Sequence, residues 1–272
     1  MKTILDEIIA YKKQEVAEKK SLYPTKLLEQ SIYFETPTVS LKQFLRRSDK
    51  QGIIAEFKRQ SPSKGIINAY AKVEEVSIGY MQAGASALSV LTDQKFFGGK
   101  NQDLTEARTY NYAPILNKNF VIDEYQIVEA KSIGADVILL IAECLAREEV
   151  QRLASFAKQL GMEVLMELHQ VEQLDKLCPE VDLVGVNNRD LKTFNVNLEN
   201  SMRIAQMLPS DLIKVAESGL SSADTVVLLK EHGFEGFLIG EYFMKHARPQ
   251  EACAKFIQEV AQKSSKIIAH EA

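Results

Sequence analysis

Cysteine is scarce in this chain. Of 272 residues only three are cysteines, Cys144, Cys178 and Cys253, an odd and widely spaced set with no CxxC or Cys/His metal pattern. That excludes a disulfide-stapled scaffold and a zinc module, and free thiols in a reducing cytoplasm are expected. A basic excess is also missing: 33 Lys and Arg stand against 37 Asp and Glu, for a formal net charge of −4. Nucleic acid and membrane are therefore not expected partners. No apolar run approaches the ~20 residues of a membrane span. Asp6, Glu7, Glu15 and Glu18 interrupt the N-terminal stretch, against a signal or transit peptide. No low-complexity linker divides the sequence, so one cytoplasmic domain over 1–272 is expected.

What is present is 46% hydrophobic and 26% charged with both signs mixed, enough for one sizeable core. Ile4, Leu5, Ile8, Ile9 and Tyr11 recur near a 3.6 period and predict an amphipathic helix over 1–20. Segment 21–37 is looser, and a short helix over Leu41–Arg46 comes next, with Ser40 as its cap. From residue 52 apolar runs alternate with helical stretches: 52–58, 86–92, 113–118, 136–141, 163–168, 182–187, 212–217 and 236–240. They recur every ~20 to 35 residues, as βα units do, and are nearly continuous in apolar residues, like strands buried on both faces. Eight such units predict an α/β fold, a (β/α)8 TIM barrel over 48–272 with an N-terminal helical extension over 1–47. The alternative is an open doubly wound sheet, which usually carries GxGxxG after its first strand; here that turn reads RQSPSKG.

In such a barrel, chemistry belongs at the C-terminal strand ends. The first run ends in Glu56 and Lys58, the third in Lys118, the fifth in Glu167, the sixth in Asn187 and the seventh in Glu217. Glu56 and Lys58, two apart on a strand, point the same way and share that parity with apolar Ile54. The Glu56/Lys58 pair alone, and each carboxylate singly, reads slightly better as a structural group at a strand end, but five strand ends aimed at one mouth read as a site. Lys118 would serve as a proton donor near neutral pH if its pKa were lowered; a pairing role with Glu56 or Glu167 and a Schiff-base role stay open. Gly219, Gly240 and the adjoining GEYFMK suggest a phosphate site after the last two strands. The scattered histidines His169, His232, His246 and His270 have no ligand spacing, so no metal is expected. All four are expected on the solvated surface, with His169 at the mouth as the lesser alternative.

Seven stretches in order resemble the motifs of indole-3-glycerol phosphate synthases: IIAEFKRQSPSKG (53–65), LSVLTDQKFFGG (88–99), PILNKNFVIDEYQI (114–127), GADVILLIAECL (134–145), VGVNNRDLKTF (184–194), VAESGL (215–220) and FLIGEYFMK (237–245). The resemblance implies a carboxy-lyase of tryptophan biosynthesis that closes the pyrrole ring of 1-(2-carboxyphenylamino)-1-deoxyribulose 5-phosphate with loss of CO2 and water. It implies a phosphorylated small-molecule substrate, no cofactor, and a monomer as an open expectation. Lys118 would be the general acid, Glu167 its base or acid partner, and Lys58 would hold the substrate carboxylate and act in dehydration. Glu56 would hold both lysines, Glu217 would support them, and Asn187 would bind hydroxyls. Ser61, Ser218, Gly219, Gly240 and Glu241 would surround the phosphate, while Arg189 braces the sixth loop. The sequence departs from the family at Asn119, where Lys-Asp-Phe is usual; strand alternation predicts that Asn119 faces outward. Related readings are a phosphate-binding barrel isomerase, a lysine-dependent aldolase, and a non-catalytic module on the same fold.

Overall fold

A computed structural model describes residues 3–190 and 195–271. Eight parallel strands, β1 (Ile53–Phe57), β2 (Ala87–Leu91), β3 (Ile115–Lys118), β4 (Val137–Ile141), β5 (Glu163–Leu168), β6 (Leu183–Asn187), β7 (Ile213–Glu217) and β8 (Gly236–Ile239), each pair with the next. The barrel closes where β8 returns to β1, with Ile53 opposite Phe237 and Ala55 opposite Ile239. Closure removes the open-sheet alternative, and every predicted strand lies within two residues of its expected run.

Alternation on the strands builds two cores. Along β4, Val137, Leu139 and Ile141 point into the barrel, where they meet Ile54, Leu116, Leu165 and Val215. Ile138 and Leu140 point outward into the layer shared with the surrounding helices. Because both faces are covered, a strand with no polar residue is the stable choice here.

The N-terminal extension does two jobs at opposite ends of the barrel. Helix α1 (Ile4–Leu22) starts at a capping box, in which Asp6 N–H donates to Thr3 Oγ1 and Thr3 N–H to the Asp6 carboxylate. It lies across the C-terminal mouth, burying Leu5, Ile8 and Val16. On the same buried face Lys12 is only 1% exposed, and its ammonium lies 2.8 Å from Asp93 and 2.6 Å from Glu15. Asp93 in turn caps the short helix Gln94–Phe97, accepting from Phe96 N–H at 2.7 Å. After α1 come α2 (Thr25–Leu28), a short helix within the segment read as loose, and α3 (Leu41–Leu45).

Helix α3 plugs the N-terminal end: Leu41 and Leu45 join the barrel interior. Glu163, at the start of β5, accepts from Ser40 Oγ, Leu41 N–H and Lys42 N–H at 2.5, 2.8 and 3.1 Å. A carboxylate at a helix start satisfies otherwise orphaned donors and opposes the helix dipole.

The Lys12–Asp93 pair has no water to fall back on. Lys12→Met should destabilise the protein by ~3–5 kcal/mol, since it strands a buried carboxylate. Lys20→Met, at an ion pair 47% and 32% exposed, should cost under ~1 kcal/mol. Urea unfolding of both variants checks the contrast; equal midpoints would remove Lys12 as the anchor of the roof.

Candidate active site

The ionisable strand ends converge. Glu56, Lys118, Glu167, Asn187 and Glu217 share the inward parity of the barrel, and Lys58 sits just beyond β1. All six line one cavity of about 460 Å³ at the C-terminal mouth, roofed by Ile4, Leu5 and Ile8 of α1. Lys118 Nζ donates to Glu167 Oε2 at 2.8 Å and to Glu217 Oε2 at 2.6 Å. Asn187 Nδ2 donates to the other Glu167 oxygen at 3.0 Å. Lys58 pairs with Glu56 at 2.7 Å. Glu56 thus pairs with Lys58 rather than with both lysines, and Lys118 takes its direct partners from β5 and β7.

Burial by itself would lower the pKa of Lys118, but Glu167, Glu217 and Glu56 outweigh it and hold the ammonium charged. The lowered pKa expected for a lysine at this mouth is therefore reversed. Burial also works against ionising Glu167, yet Lys118 and then His169 keep its pKa below the ordinary carboxylate range. For Glu217 burial prevails, helped by the nearby Glu167 charge, and its pKa is raised despite Lys118. One lysine between two buried carboxylates thus separates them, one ionised and one biased to keep its proton. The second Glu217 oxygen is buried and accepts no hydrogen bond among the described residues.

Two glycines create the room these carboxylates occupy. A Cβ on Gly185 would lie 2.0 Å from Glu217 Oε1, and one on Gly240 would lie 2.4 Å from Glu56 Oε1. Gly240 was expected to serve phosphate; its missing side chain makes space for Glu56. Gly219 sits at φ +71, where a Cβ would also strike Val196 at 2.6 Å. Ser218 beside it, at φ 69, is the one non-glycine with positive φ among the described residues. Ser61, Ser218, Gly219, Gly240 and Glu241 all line the same cavity. Glu241 pairs with Arg189 at 3.2 Å, so Arg189 ties the loop after β6 to the loop after β8.

Several expectations need correction. His169 is buried, not solvated, with Nε2 3.2 Å from Glu167 Oε1. It sits two residues past Glu167, and that shared parity was the signal for it. His232 is half-buried and its ring Nδ1–H donates to the Leu228 carbonyl, 2.8 Å away. His246 is exposed as expected, while the side chain of His270 and residues 191–194 of the VGVNNRDLKTF stretch lie outside the described residues. Asn119 is buried and turned toward Thr92, to which it donates at 2.8 Å, and Asn117 accepts from the same hydroxyl at 2.7 Å. Asn119 nevertheless also borders the cavity. The apolar wall of Phe97, Phe120, Leu139, Ile141 and Leu238 was not singled out from sequence. Phe120 and Ile141 were legible by strand parity, but Phe97 arrives on the short helix after β2 and carries no such mark. Phe97 and Phe120 pack at a 37° tilt with centroids 5.9 Å apart.

A closed (β/α)8 barrel with lysines and carboxylates converging on its C-terminal mouth defines a TIM-barrel enzyme. The profile of the indole-3-glycerol phosphate synthase family matches residues 5–256. A Bacteroides thetaiotaomicron indole-3-glycerol phosphate synthase is 48% identical over 260 residues, covering 96% of this chain and 100% of the relative. Relatives of the same name from Acinetobacter baylyi and Caldanaerobacter subterraneus are 40% and 41% identical, over 92% and 89% of this chain and 94% and 93% of their own. The chain belongs to the indole-3-glycerol phosphate synthase family, carboxy-lyases of tryptophan biosynthesis that bind a phosphorylated small molecule. Among solved structures, 3-hexulose-6-phosphate synthase from Salmonella typhimurium matches with a TM-score of 0.62 at 12% identity, covering 78% of this chain and 99% of that one. The tryptophan synthase complex from Pyrococcus furiosus matches at 0.56 and 15%, covering 79% and 99%. Both are similar in fold. No helix among the described residues is long and apolar enough to cross a membrane.

Gly185→Ala tests the space argument. The added methyl should push Glu217 off Lys118, lowering kcat at least about tenfold, ~1.4 kcal/mol of barrier, while circular dichroism stays native. Unchanged turnover would show that Glu217 relocates without consequence.

Proposed function

We propose that Lys118 is the general acid and Glu167 its base partner in closing the indole ring of 1-(2-carboxyphenylamino)-1-deoxyribulose 5-phosphate. The observation that carries this reading is the Lys118 ammonium held between Glu167 and Glu217 inside a roofed, largely apolar cavity. The ring carbon bearing the carboxylate attacks the C2 carbonyl, and Lys118 delivers a proton to the oxygen. The bond to the carboxylate then breaks; its electron pair restores the aromatic ring and CO2 leaves. Next the C2 hydroxyl departs as water with a proton from Lys58, and Glu167 removes a proton from C1 to complete the indole. A lysine so strongly paired is a poor acid, so substrate must first weaken its carboxylate contacts.

The remaining assignments rest on the same logic. Lys58 faces the substrate carboxylate and Glu56 orients it; Asn187 binds a hydroxyl while bracing Glu167. Glu217 supports the network by holding Lys118 from the β7 side. Ser61, Ser218, Gly219, Gly240 and Glu241 frame the phosphate, since the loops after strands seven and eight are the usual phosphate site of such barrels. These residues need no cofactor. All come from one chain, so a monomer suffices, and residues 1–272 act as one cytoplasmic domain, 1–47 being its extension, with no nucleic-acid partner.

Indole fluorescence appearing from the anilino-deoxyribulose phosphate without added metal tests the reaction. Lys118→Ala should nearly abolish it while binding stays within about tenfold, ~1.4 kcal/mol; turnover within threefold of the parent would end the acid role. Glu167→Gln should lower kcat more than it raises KM, because proton transfer acts in the transition state. Only a KM effect would leave Glu167 as a binding group.

The pH profile tests Glu217. Its raised pKa means the protonated form is present at lower pH and lost as pH rises. Activity that needs that proton falls on the alkaline side, and Glu217→Gln, which cannot ionise, should flatten that limb. An alkaline limb identical in the variant would assign it to another group.

A further inference from the structure

His169 comes directly after the last residue of β5 and is 8% exposed. Its backbone is pinned on both sides: the N–H donates to Gln173 Oε1 at 2.7 Å, and the carbonyl accepts from Asn200 Nδ2 at 3.1 Å. The imidazole between these anchors is not satisfied. Neither ring nitrogen has a hydrogen-bond partner among the described residues, although Nε2 lies only 3.2 Å from Glu167 Oε1. A buried polar ring with both nitrogens unpaired is uncommon and calls for a reason. Catalytic hydrogen bonds are often misaligned before substrate binds and tighten afterwards.

The surroundings supply the reason. Glu167 spends one oxygen on Lys118 and the other on Asn187. Once Lys118 engages substrate, the first oxygen loses its cation while the carboxylate stays buried. The other ionisable groups nearby cannot replace it. Glu217 from β7 is a carboxyl itself and shares Lys118. Glu143, from the loop after β4, is bound by Gln173. The Cys144 thiol in that loop is pushed up to about 12 by burial and by Glu167. Among the described residues, only His169 brings a donor from β5's own end.

We propose that His169 is a positioning residue for Glu167, its Nε2–H closing on Oε1 when substrate draws Lys118 away. This rests on the acid and base roles proposed above for Lys118 and Glu167. The imidazole keeps the carboxylate ionised and aimed through the interval in which its lysine is occupied elsewhere.

Three variants test it, by pH profiles of kcat and KM with circular dichroism as the check on folding. His169→Phe should lower kcat about tenfold with KM within about twofold, and move the acidic limb to higher pH, because a carboxylate that loses a favourable partner binds its proton more tightly. His169→Gln keeps a donor at similar reach and should recover most of kcat. His169→Asn, one methylene shorter, should behave like Phe and decides the matter if Phe does not fold. A folded Phe or Asn variant with the parent's kcat and acidic limb overturns the proposal, as does Gln no better than Asn. Glu167→Gln separates the two readings. If it retains turnover, the base role itself falls; if it is inactive while the His169 variants match the parent, only the role of His169 falls.

Discussion

A side chain on a closed parallel strand has two destinations, the barrel interior or the helical shell, and alternation allots them strictly. Strand β5 displays the consequence along its whole length. Glu163, Leu165 and Glu167 all point inward, at the bottom, middle and top of the barrel. Glu163 binds the start of the plugging helix, Leu165 fills the centre, and Glu167 meets Lys118. One register therefore determines the closure of one end, the packing of the middle and the chemistry of the other. A shift by one residue would turn all three side chains into the apolar shell.

The top layer is costly to bury, and the structure meets that cost by sharing. Lys118 serves two carboxylates, Lys58 serves a third, and Asn187 takes the oxygen that Lys118 leaves. Low dielectric makes each contact strong and makes any unpaired charge expensive. Hence the two carboxyls on one ammonium cannot both ionise with equal ease. Gly185 and Gly240 belong to the same arrangement, because glutamates this close to the wall fit only where a neighbouring strand has no side chain. Polar chemistry at the mouth is thus supported by absent atoms as much as by present ones.

The fold was legible in sequence because the strands are short, nearly continuous apolar runs at regular spacing, five of them closing on polar groups. Glu56, Lys118, Glu167, Asn187 and Glu217 could be read off those ends without knowing which groups touch. Pairing was less legible: the partition of Lys58 to Glu56 and of Lys118 to Glu167 and Glu217 depends on barrel curvature, which no local pattern encodes. The pKa of Lys118 goes the other way from expectation for the same reason, since burial was foreseeable and the number of carboxylates around it was not. A lone histidine after a strand resembles a surface residue, which is why His169 escaped, although its parity with Glu167 pointed inward. Phe97 reaches the cavity from a one-turn helix too short to show a periodic signal, and α3 read as a capped helix without revealing that it closes the barrel floor.

Helix α1 puts Ile4, Leu5 and Ile8 over the cavity as its ceiling. For protein engineering this placement offers an opportunity, because ceiling residues touch the cavity without belonging to any barrel strand. Libraries that vary Ile4, Leu5 and Ile8 can reshape the cavity while the strand register, and with it the alignment of the lysines and carboxylates at the mouth, stays as it is.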